Sequence, residues 1–533
     1  MTTECIPFDQ LPHTSRLFLD FLSGRLHRFY PRSIQFGEWT ADETANMRFD
    51  RDRRAAIAEI LMKQNTGWNA SPKTLENIAR LKNGASAVVT GQQVALFGGP
   101  LFSIFKAITA IKLAEEAGKK GIECVPIFWL ATEDHDFAEV NHANLLGKEK
   151  AALTRIDVHA GGIDGAPVSA RPLEKDVESA IAAAAEGLGD SEITELLRKF
   201  YRSGETLGSA MAQLFARVFG QYGLILLDPS SADVHRIAAP IFVDALRRSE
   251  ELDKKLLARG KELESAGYHQ QVKVTESSTL LFSLETGIRV PIKRTNGKLV
   301  VGKEPVSAAD LEKRISQAPE KFSANVLLRP VMQDFVLPTL CYVGGPAEVA
   351  YFAQCEVVYK TLLDRVTPII PRCSATLVEE HQQKILQKLS LTLLDVFQDP
   401  EIVRKLIATK VMPADLNKRF DEAAAQLEST LRSITEPLEK FDPTLADAAK
   451  RSASKMRYQL KRLRDRTAAA ELRRDEVVGR KAAELSTVLF PNRNLQEREI
   501  AGVSFLARHG MEVIEKLHDV LQTSCSGHQI VNL

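Results

Sequence analysis

The sequence predicts an α/β protein with a Rossmann-type parallel-sheet core, two insertions in that core and a C-terminal α-helical coiled coil. Three observations predict this fold. Short apolar, β-branched runs end in polar or Gly-rich turns and lead into helices with apolar periodicity. Stretches of different composition interrupt these units twice. Beyond residue 374 the pattern is nearly all helical, with apolar residues at heptad spacing.

Length, charge and hydropathy limit the classes of protein to which the chain can belong. At 533 residues the chain exceeds what one hydrophobic core supports, so several domains are expected. Its 70 basic and 69 acidic residues give a net charge of +1, which argues against a surface built for nucleic acid. No apolar run approaches the roughly 18 residues of a membrane span, and the start of the chain lacks a secretory signal pattern. We therefore expect a cytoplasmic protein with neither a nucleic-acid nor a membrane partner.

The cysteines form no recognisable motif. They are scattered with no C-x-x-C pair, at Cys5, Cys124, Cys341, Cys355, Cys373 and Cys525. This spacing predicts a reduced protein and gives no sign of a zinc cluster.

The first β-loop-α unit begins with the run Val88-Val89-Thr90. A polar turn follows, and the chain leaves it through Gly98-Gly99-Pro100 into a helix predicted over 102–117. Proline fits a helix start because the missing N–H has no partner there. Glycines let backbone N–H groups approach an anion, and the helix N-terminus adds the positive end of its dipole. The unit therefore predicts a ligand-facing turn.

Three later runs continue the predicted parallel sheet. Residues 124–131 lead directly into the polar cluster 133–136, residues 222–230 form the third strand, and residues 340–343 precede a second Gly-Gly-Pro turn at 344–346. The carboxyl ends of parallel strands share one edge of the sheet, where open α/β sheets bind ligands. We therefore expect the polar strand ends to converge in one cleft.

These units and interruptions define the predicted organisation. In the second insertion, Asn296-Gly297 predicts a hairpin turn between two strand-like runs. The predicted parts are N-terminal helices with the first half of the core (1–145), a helical insertion (146–215), the core continued (216–254), a small β-containing insertion (255–325), the second half of the core (326–373), and a helical coiled-coil domain with a C-terminal segment (374–533).

Apolar residues in the C-terminal region are spaced alternately by four and three, which predicts a coiled coil. They are Leu427, Leu431, Ile434, Leu438, Phe441, Leu445 and Ala448, followed after a break by Met456, Leu460 and Leu463. Asp442-Pro443 is typical of an N-cap and a first-turn proline, so two helices are predicted rather than one rod. We expect this stripe to pack on a partner helix, and a homodimer is the predicted assembly.

The cluster Glu133-Asp134-His135-Asp136 is the densest group of titratable residues. His135, Asp134 and Asp136 are the predicted catalytic residues, because flanking carboxylates raise the pKa of a histidine and orient its ring. Two alternatives stay open. The cluster is also typical of an exposed acidic turn that caps the next helix. A metal site of His135, Asp136 and His142 is the other, although no tight zinc spacing is present.

Polar residues and glycines at the strand ends are the predicted substrate- or nucleotide-binding residues. This set is Thr90, Gly91, Gln92, Gln93, Gly98, Gly99, Lys106, Gln333, Asp334, Gly344, Gly345, Glu348 and Arg372. Turn-forming polarity, a solvated lysine and a structural ion pair are the alternatives for its side chains. The turn matches neither G-x-x-x-x-G-K-[ST] nor G-x-G-x-x-G, so NAD is not indicated. Neither a tightly bound cofactor nor a metal is predicted.

Four blocks of the chain resemble the family of bacillithiol-biosynthesis cysteine-adding enzymes, BshC. They are TGQQVALFGGPLFSIFKAI (90–108), VPIFWLATEDHDFAEVNH (125–142), LLRPVMQDFVLPTLCYVGGPAEVAYFAQ (327–354) and LFPNRNLQERE (489–499). The blocks are long and distinctive, and they lie in the family's order across most of the chain.

The resemblance implies a core akin to nucleotidyltransferases and class I synthetases, with connecting-peptide insertions and a dimerising coiled coil. It implies a ligase that joins L-cysteine to glucosaminyl-malate through an amide, giving bacillithiol. By analogy a nucleotide, ATP or ADP, is the expected cosubstrate that activates the carboxylate. The alternative function is an RNA-binding module with a synthetase-like core and a basic helical arm at 455–466.

Overall fold

The computed structural model describes residues 3–148, 151–295, 297–474 and 476–533. The chain divides into two compact units, Met1–Thr376 with Glu497–Val531, and Leu377–Gln496 with Asn532–Leu533. The first division lies close to the boundary predicted at residue 374. Glu497–Val531, within the C-terminal segment of the domain predicted over 374–533, packs with the first unit.

The described strands are short and are spread over both halves of the first unit. They are β1 (Thr3–Ile6), β2 (Ser86–Gln93), β3 (Cys124–Ala131), β4 (His142–Leu146), β5 (Leu153–Asp157), β6 (Ile225–Leu227), β7 (Ser278–Ser283), β8 (Val290–Thr295), β9 (Lys298–Val301), β10 (Glu304–Val306), β11 (Phe322–Ala324), β12 (Thr339–Gly344), β13 (Ile369–Pro371), β14 (Ser374–Val378) and β15 (His528–Asn532).

Helices account for most of the remaining described residues. They are α1 (Arg16–Leu22), α2 (Phe36–Asn46), α3 (Arg51–Gly67), α4 (Pro72–Lys82), α5 (Phe102–Lys119), α6 (Phe137–Val140), α7 (Asp176–Leu188), α8 (Glu192–Phe200), α9 (Leu207–Val218), α10 (Ala232–Arg247), α11 (Ser249–Ser265), α12 (Ala308–Gln317), α13 (Arg329–Val336), α14 (Pro346–Leu363), α15 (Glu380–Lys388), α16 (Leu393–Val396), α17 (Pro400–Val411), α18 (Ala414–Phe441), α19 (Pro443–Arg474), α20 (Glu476–Leu489), α21 (Gln496–Glu499), α22 (Val503–His509) and α23 (Glu512–Val520). None of them is long and apolar enough to cross a bilayer.

The central sheet of the first unit is parallel throughout, in the order β13-β12-β2-β3-β6. Counted along the chain, these strands run 5-4-1-2-3, which is the order of a doubly wound sheet. The order reverses between β2 and β12, where Thr90 is paired with Val343. The predicted Rossmann-type core is therefore confirmed, and its switch point lies between the ends of β2 and β12.

Both faces of this sheet are covered, as is usual for parallel strands. Val89 packs into a core that includes residues of α3, α4 and α10, whereas its neighbour Val88 packs with α2 and α5. Alternate residues of a strand point to opposite faces. This explains why the strands read as continuous apolar runs rather than as an alternation.

The second insertion contains an antiparallel sheet in the order β10-β9-β8-β7-β11. Strands β8 and β9 pair as a hairpin, with Thr295 opposite Lys298. The hairpin predicted there is present, although Asn296 of its turn lies outside the described residues. The first insertion carries the β4–β5 pair together with α7, α8 and α9.

The two chain ends meet in a small sheet of order β1-β15-β14. Cys5 and Cys525 form a disulfide beside it, whereas Cys124, Cys341, Cys355 and Cys373 are buried free thiols. The prediction of a reduced protein is therefore wrong for Cys5 and Cys525. The two cysteines are 520 residues apart in the sequence, and the antiparallel pairing of β1 with β15 brings them together.

The second unit is helical, and α18 and α19 pack against each other. They are separated at Asp442, as the sequence predicts. Arg457 of α19 donates to Glu428 of α18, with Nη2 2.9 Å from Oε2. Several residues of the predicted apolar stripe remain exposed in the single chain: Ile434, Phe441, Leu445, Met456 and Leu463.

Candidate active site

A cavity of about 360 Å³ lies at the switch point of the central sheet. Its wall combines the ends of β2 and β3, the start of α14, and side chains from distant parts of the first unit. The lining residues are Gly91, Gln92, Gln93, Phe102, Lys106, Trp129, Ala131, Glu133, Asp134, Pro229, Arg289, Ala324, Asn325, Val326, Arg329, Tyr342, Gly345, Pro346, Ala347, Glu348, Tyr351, Arg372 and Arg498. Open α/β sheets bind ligands in such a crevice.

Lys106 is a buried cation on this wall. It rises from α5, and its ammonium donates to Gly91 O at 2.7 Å and to Gln92 Oε1 at 2.9 Å, and pairs with Glu348. Burial lowers the pKa of Lys106, and Glu348 opposes that shift. Gly91 is needed at this point because a Cβ there would lie 2.9 Å from Trp129 O. The close approach of β2 and β3 therefore sets the position of the lysine.

Glu348 anchors the start of α14. Its carboxylate accepts from Gly345 N at 2.7 Å and from Tyr342 Oη at 2.6 Å, and it pairs with Lys106. Burial raises the pKa of Glu348, but Lys106 and the two donors outweigh burial and lower it overall. The side chain of Glu348 thus caps the N–H of Gly345, and Pro346 is the first residue of α14.

Arg372 supplies a second buried cation. It forms a two-pronged ion pair with Glu497, Nη2 lying 2.7 Å from Oε1 and Nη1 2.9 Å from Oε2. Glu497 also accepts from Ser374 Oγ at 2.8 Å and from Ala375 N at 3.1 Å. The returning segment 497–531 therefore completes the wall of the cavity.

Two buried donors on the wall have no hydrogen-bond partner among the described residues. They are Trp129 Nε1 and Arg372 Nε. Trp129 is 1% exposed and Arg372 7% exposed. A buried donor without a partner costs free energy, and native proteins rarely leave one unexplained. Both donors line the cavity, so oxygen atoms of a bound molecule would satisfy them.

The cavity wall also carries acidic residues, Glu133 and Asp134. Gln93 Nε2 donates to Asp134 Oδ2 at 2.8 Å, and Asp134 also accepts from the backbone N–H groups of the two following residues. Burial raises the pKa of Asp134, but these hydrogen bonds lower it overall. Glu133 lies beside it. Burial lowers the pKa of Arg289, which both carboxylates oppose, so this arginine faces the acidic side.

Some predicted residues lie apart from this cavity, and the first Gly-Gly-Pro turn is the clearest case. Gly98 and Gly99 adopt positive φ angles of 82° and 76°. The N–H of Gly98 donates to Tyr201 Oη at 2.9 Å, and the N–H of Gly99 donates to Leu96 O at 3.1 Å. Neither glycine lines the cavity in the described residues. The prediction that they approach an anion is wrong, because this turn uses its N–H groups internally and packs on α9.

The predicted catalytic residues divide in the same way. Asp134 lines the cavity, but His135 and Asp136 are not among its described lining residues. The side chain of His135 is 46% exposed and lies 3.5 Å from Asp134. Asp136 accepts from Glu139 N and caps α6, which is the helix-capping alternative. Among the described residues no group of three or more His, Cys, Asp or Glu side chains is arranged to hold a metal ion.

Four of the predicted binding residues are interior instead. Thr90 Oγ1 donates to Val343 O at 2.9 Å and so joins β2 to β12. Gln333 donates to Asp334, which accepts from Tyr359 Oη at 2.6 Å. Gly344 ends β12. None of Thr90, Gln333, Asp334 and Gly344 is among the described lining residues.

Comparison with known proteins assigns both parts of the chain to one family. Residues 1–373 match "Bacillithiol biosynthesis BshC, N-terminal Rossmann-like domain", and residues 375–533 match "Bacillithiol biosynthesis BshC, C-terminal coiled-coil domain". The chain belongs to the BshC family. A relative named "Putative cysteine ligase BshC" from Koribacter versatilis is 45% identical over 100% of both chains. The relative of the same name from Solibacter usitatus is 35% identical over 100% of both chains. The relative of the same name from Salinibacter ruber is 32% identical over 97% of this chain and 96% of its own. The protein is accordingly a ligase.

Sequence reasoning missed several residues of the BshC-family cavity. Trp129, Arg329 and Arg498 lie inside the recognised blocks and could have been found there, had all polar positions of those blocks been considered. Arg289 lies in an insertion and outside every block, so no local pattern marks it. The basic run of α19 was also open to another interpretation. Two of its arginines, Arg457 and Arg464, pair with carboxylates of α18, which is typical of a helical hairpin surface.

Proposed function

We propose that this BshC-family protein is a cytoplasmic ligase that joins L-cysteine to glucosaminyl-malate through an amide bond and so forms bacillithiol. The relatives' shared name supports cysteine as a substrate. The observation that carries the proposal is the cavity at the switch point, where Trp129 Nε1 and Arg372 Nε are buried donors with no hydrogen-bond partner in the described part of the chain. Both substrates of the proposed reaction carry carboxylates, whose oxygens accept such hydrogen bonds.

The charges on the wall suit substrates that carry both signs. Arg329, Arg372 and Arg498 lie on one part of the wall and favour carboxylate or phosphate groups. Glu133 and Asp134 lie on another part and favour an amine. Cysteine is a zwitterion, and glucosaminyl-malate combines an amine with two carboxylates. The cavity therefore offers complementary contacts to each substrate.

Amide formation from a free carboxylate is uphill in water, so the carboxylate must be activated. We propose ATP as the cosubstrate and an adenylate of cysteine as the activated form. Gly345, Pro346 and Ala347 line the cavity, but the N–H of Gly345 donates to Glu348 and proline has none, so the arginines of the wall would stabilise negative charge there. The half-exposed position of His135 leaves this residue without a part in the proposal, and its predicted role stays a prediction.

The proposed ligase acts as a homodimer through its helical hairpin. Phe441 is 83% exposed, and Ile434 and Met456 are each 51% exposed. These residues belong to a stripe with heptad spacing, and exposed apolar side chains in contiguous patches are typical of association surfaces. A second copy of the same hairpin would cover them.

The test is a reconstituted reaction. Purified protein, glucosaminyl-malate, cysteine and ATP are combined, and each component is omitted in turn, with bacillithiol quantified by mass spectrometry. We expect product only in the complete mixture, and we expect nucleotide consumption that matches product. Product without any nucleotide would overturn the activation step. Absence of product with every nucleoside triphosphate would overturn the proposed function.

The same preparation tests the RNA-binding alternative. The ratio of absorbance at 260 and 280 nm reports co-purified nucleic acid. A ratio typical of pure protein is expected for the ligase. A nucleic-acid ratio that persists through high-salt washing would favour the RNA-binding module.

A further inference from the structure

The carboxylate of Glu133 is in ion-pair contact with a histidine that the predicted site did not include. Glu133 follows β3 and lines the cavity, and only 8% of the residue is exposed. Its Oε1 lies 3.0 Å from Nε2 of His235, which belongs to α10. His235 is 1% exposed and does not line the cavity among the described residues. The histidine therefore reaches the cavity only through Glu133.

The second ring nitrogen fixes the tautomer of this histidine. His235 Nδ1 lies 3.0 Å from the carbonyl oxygen of Pro319. A carbonyl oxygen only accepts hydrogen bonds, so Nδ1 carries the hydrogen. Nε2 is then either protonated, which makes the ring a cation, or a bare lone pair that faces the carboxylate of Glu133. The second arrangement sets two acceptors against each other in a buried place, and neither atom has a hydrogen-bond partner among the described residues, so a shared proton would relieve their repulsion.

Charged groups from neighbouring elements adjust this proton affinity. Burial lowers the pKa of His235, but Glu133 and, more weakly, Glu320 outweigh burial and raise it above its ordinary value of 6.5. Asp228, at the end of β6, is a further negative neighbour of Glu133. Arg289 is the positive group on this side and favours the ionised carboxylate. The carboxylate of Glu133 thus lies between the cavity and a buried histidine that can share a proton with it, which is the arrangement of a general base with a positioning partner.

We propose that Glu133 is the general base for the attacking amine in amide formation, and that His235 is the positioning residue that shares the proton with it. The inference rests on the proposed function, because the amine and the activated carboxylate are those of that reaction. It assigns to the acidic part of the wall a step that the fold and the family match leave open.

The substrate amine enters as an ammonium, and the carboxylate of Glu133 removes one proton before the nitrogen attacks. The lone pair of the amine nitrogen attacks the carboxyl carbon of cysteine, which is activated as a mixed anhydride with a nucleoside monophosphate. A C–N bond forms, and the bond from that carbon to the phosphate oxygen breaks, so its electron pair leaves with the phosphate. The first proton is shared between Glu133 and Nε2 of His235, and the second proton, which the nitrogen loses as the amide forms, leaves on the departing phosphate oxygen.

The decisive experiment compares two acceptors of the activated cysteine. Glucosaminyl-malate carries an amine that is largely protonated at neutral pH, whereas hydroxylamine is largely unprotonated and needs no base to become nucleophilic. Wild-type protein, Glu133→Gln and the control Glu320→Gln are assayed with each acceptor in the presence of cysteine and ATP. Glu320 is exposed and is close enough to His235 to influence its charge, so its variant controls for a change of local electrostatics.

We expect Glu133→Gln to slow amide formation with glucosaminyl-malate by roughly 10²–10⁴, and hydroxamate formation by less than about tenfold. Glu320→Gln should change neither rate by more than about threefold. Equal loss with both acceptors would overturn the proposal, because Glu133 would then act in activation or binding. Unchanged rates with both acceptors would overturn it as well. If wild-type protein forms neither product, it is the proposed function that fails.

A second variant keeps the inference testable if Glu133→Gln does not fold. His235→Gln retains a side-chain amide donor toward Glu133 but cannot take up a proton. In the pH profile of kcat, we expect the limb that rises with increasing pH to move to lower pH, because the base becomes a single carboxylate. The maximal rate should fall about tenfold. Titration of the substrate amine is common to both proteins and cannot cause a difference between them. An unshifted limb would assign His235 a purely structural role and overturn its part in the proposal.

Discussion

The guanidinium of Arg372 forms a bidentate ion pair with the carboxylate of Glu497, with its two terminal nitrogens 2.7 and 2.9 Å from the two oxygens. Each partner is almost completely buried. The pair joins the strand end that faces the cavity to a segment 125 residues later in the chain. It therefore couples the stability of the first unit to the geometry of the candidate active site.

Removing one partner of this pair should be costly. Glu497→Gln leaves the Arg372 guanidinium buried without a counter-charge, and we expect the free energy of unfolding to fall by about 3–5 kcal/mol. Denaturant unfolding followed by far-UV circular dichroism measures this. The double variant Arg372→Met with Glu497→Leu removes both charges, so it should be distinctly more stable than Glu497→Gln. A double variant no more stable than the single one would show that the ion pair is not the source of the loss.

The buried His528 should make stability fall as the pH falls. Its ring lies between Ser374 Oγ and Thr376 Oγ1, and burial lowers the pKa of His528 to about 4. Between pH 6.5 and 4 the unfolded chain binds the proton that the folded chain rejects, so acid favours unfolding. The difference is worth about 3 kcal/mol. Glu497, whose pKa is also lowered, adds its loss only below about pH 4.5.

Unfolding free energies measured from pH 7 to pH 4 should therefore decline in wild-type protein. His528→Gln does not titrate, and its curve should be flatter by about that amount. Parallel curves for the two proteins would contradict the assignment of the pH dependence to His528.

Trp129→Phe should weaken substrate binding without weakening the fold. The substitution deletes Nε1, for which the described residues supply no hydrogen-bond partner, and keeps most of the buried aromatic surface. Loss of one hydrogen bond to a carboxylate should raise KM about tenfold, with Tm nearly unchanged. Trp39→Phe is the matched control, because Trp39 Nε1 donates to Ser33 O at 2.9 Å. The control should lower Tm and leave KM unchanged, and the reverse pattern would count against a ligand contact at Trp129.

Phe441→Asp tests the homodimer. Because this side chain is 83% exposed in the single chain, a charge there should leave the protomer folded but should break an interface that covers it. Light scattering at micromolar concentration should give twice 59.0 kDa for wild-type protein and 59.0 kDa for the variant. Ile402→Asp is the control, since Ile402 is 50% exposed on α17 and lies outside the stripe. A monomeric wild-type protein would contradict the assembly.

The sequence predicts the frame of this protein well because its signals are local. Apolar runs such as Val125–Ala131 followed by polar turns mark parallel strands, and Asp442 marks the break between α18 and α19. The turn at Gly345 was also predicted to face a ligand, and it lines the cavity. In each case the residues that decide the structure are neighbours in the chain.

The rest depends on contacts between distant residues. The turns at Gly98 and Gly345 share one sequence pattern, but only tertiary packing determines which of them faces the cavity. Tertiary packing likewise brings Glu133 into contact with His235, which lies about one hundred residues later in the sequence. Burial and pairing of this kind leave no periodic signal in the sequence. The acidic cluster that contains Glu133 could therefore be predicted, but its contact with His235 could not.

The most direct test of the central claim is a crystal structure of the protein with cysteine and a non-hydrolysable ATP analogue. We predict ligand density in the cavity between the ends of β2 and β12, with ligand oxygens 2.7–3.2 Å from both Trp129 Nε1 and Arg372 Nε. Ligands bound elsewhere on the protein, with this cavity empty and both donors still without partners, would contradict the account.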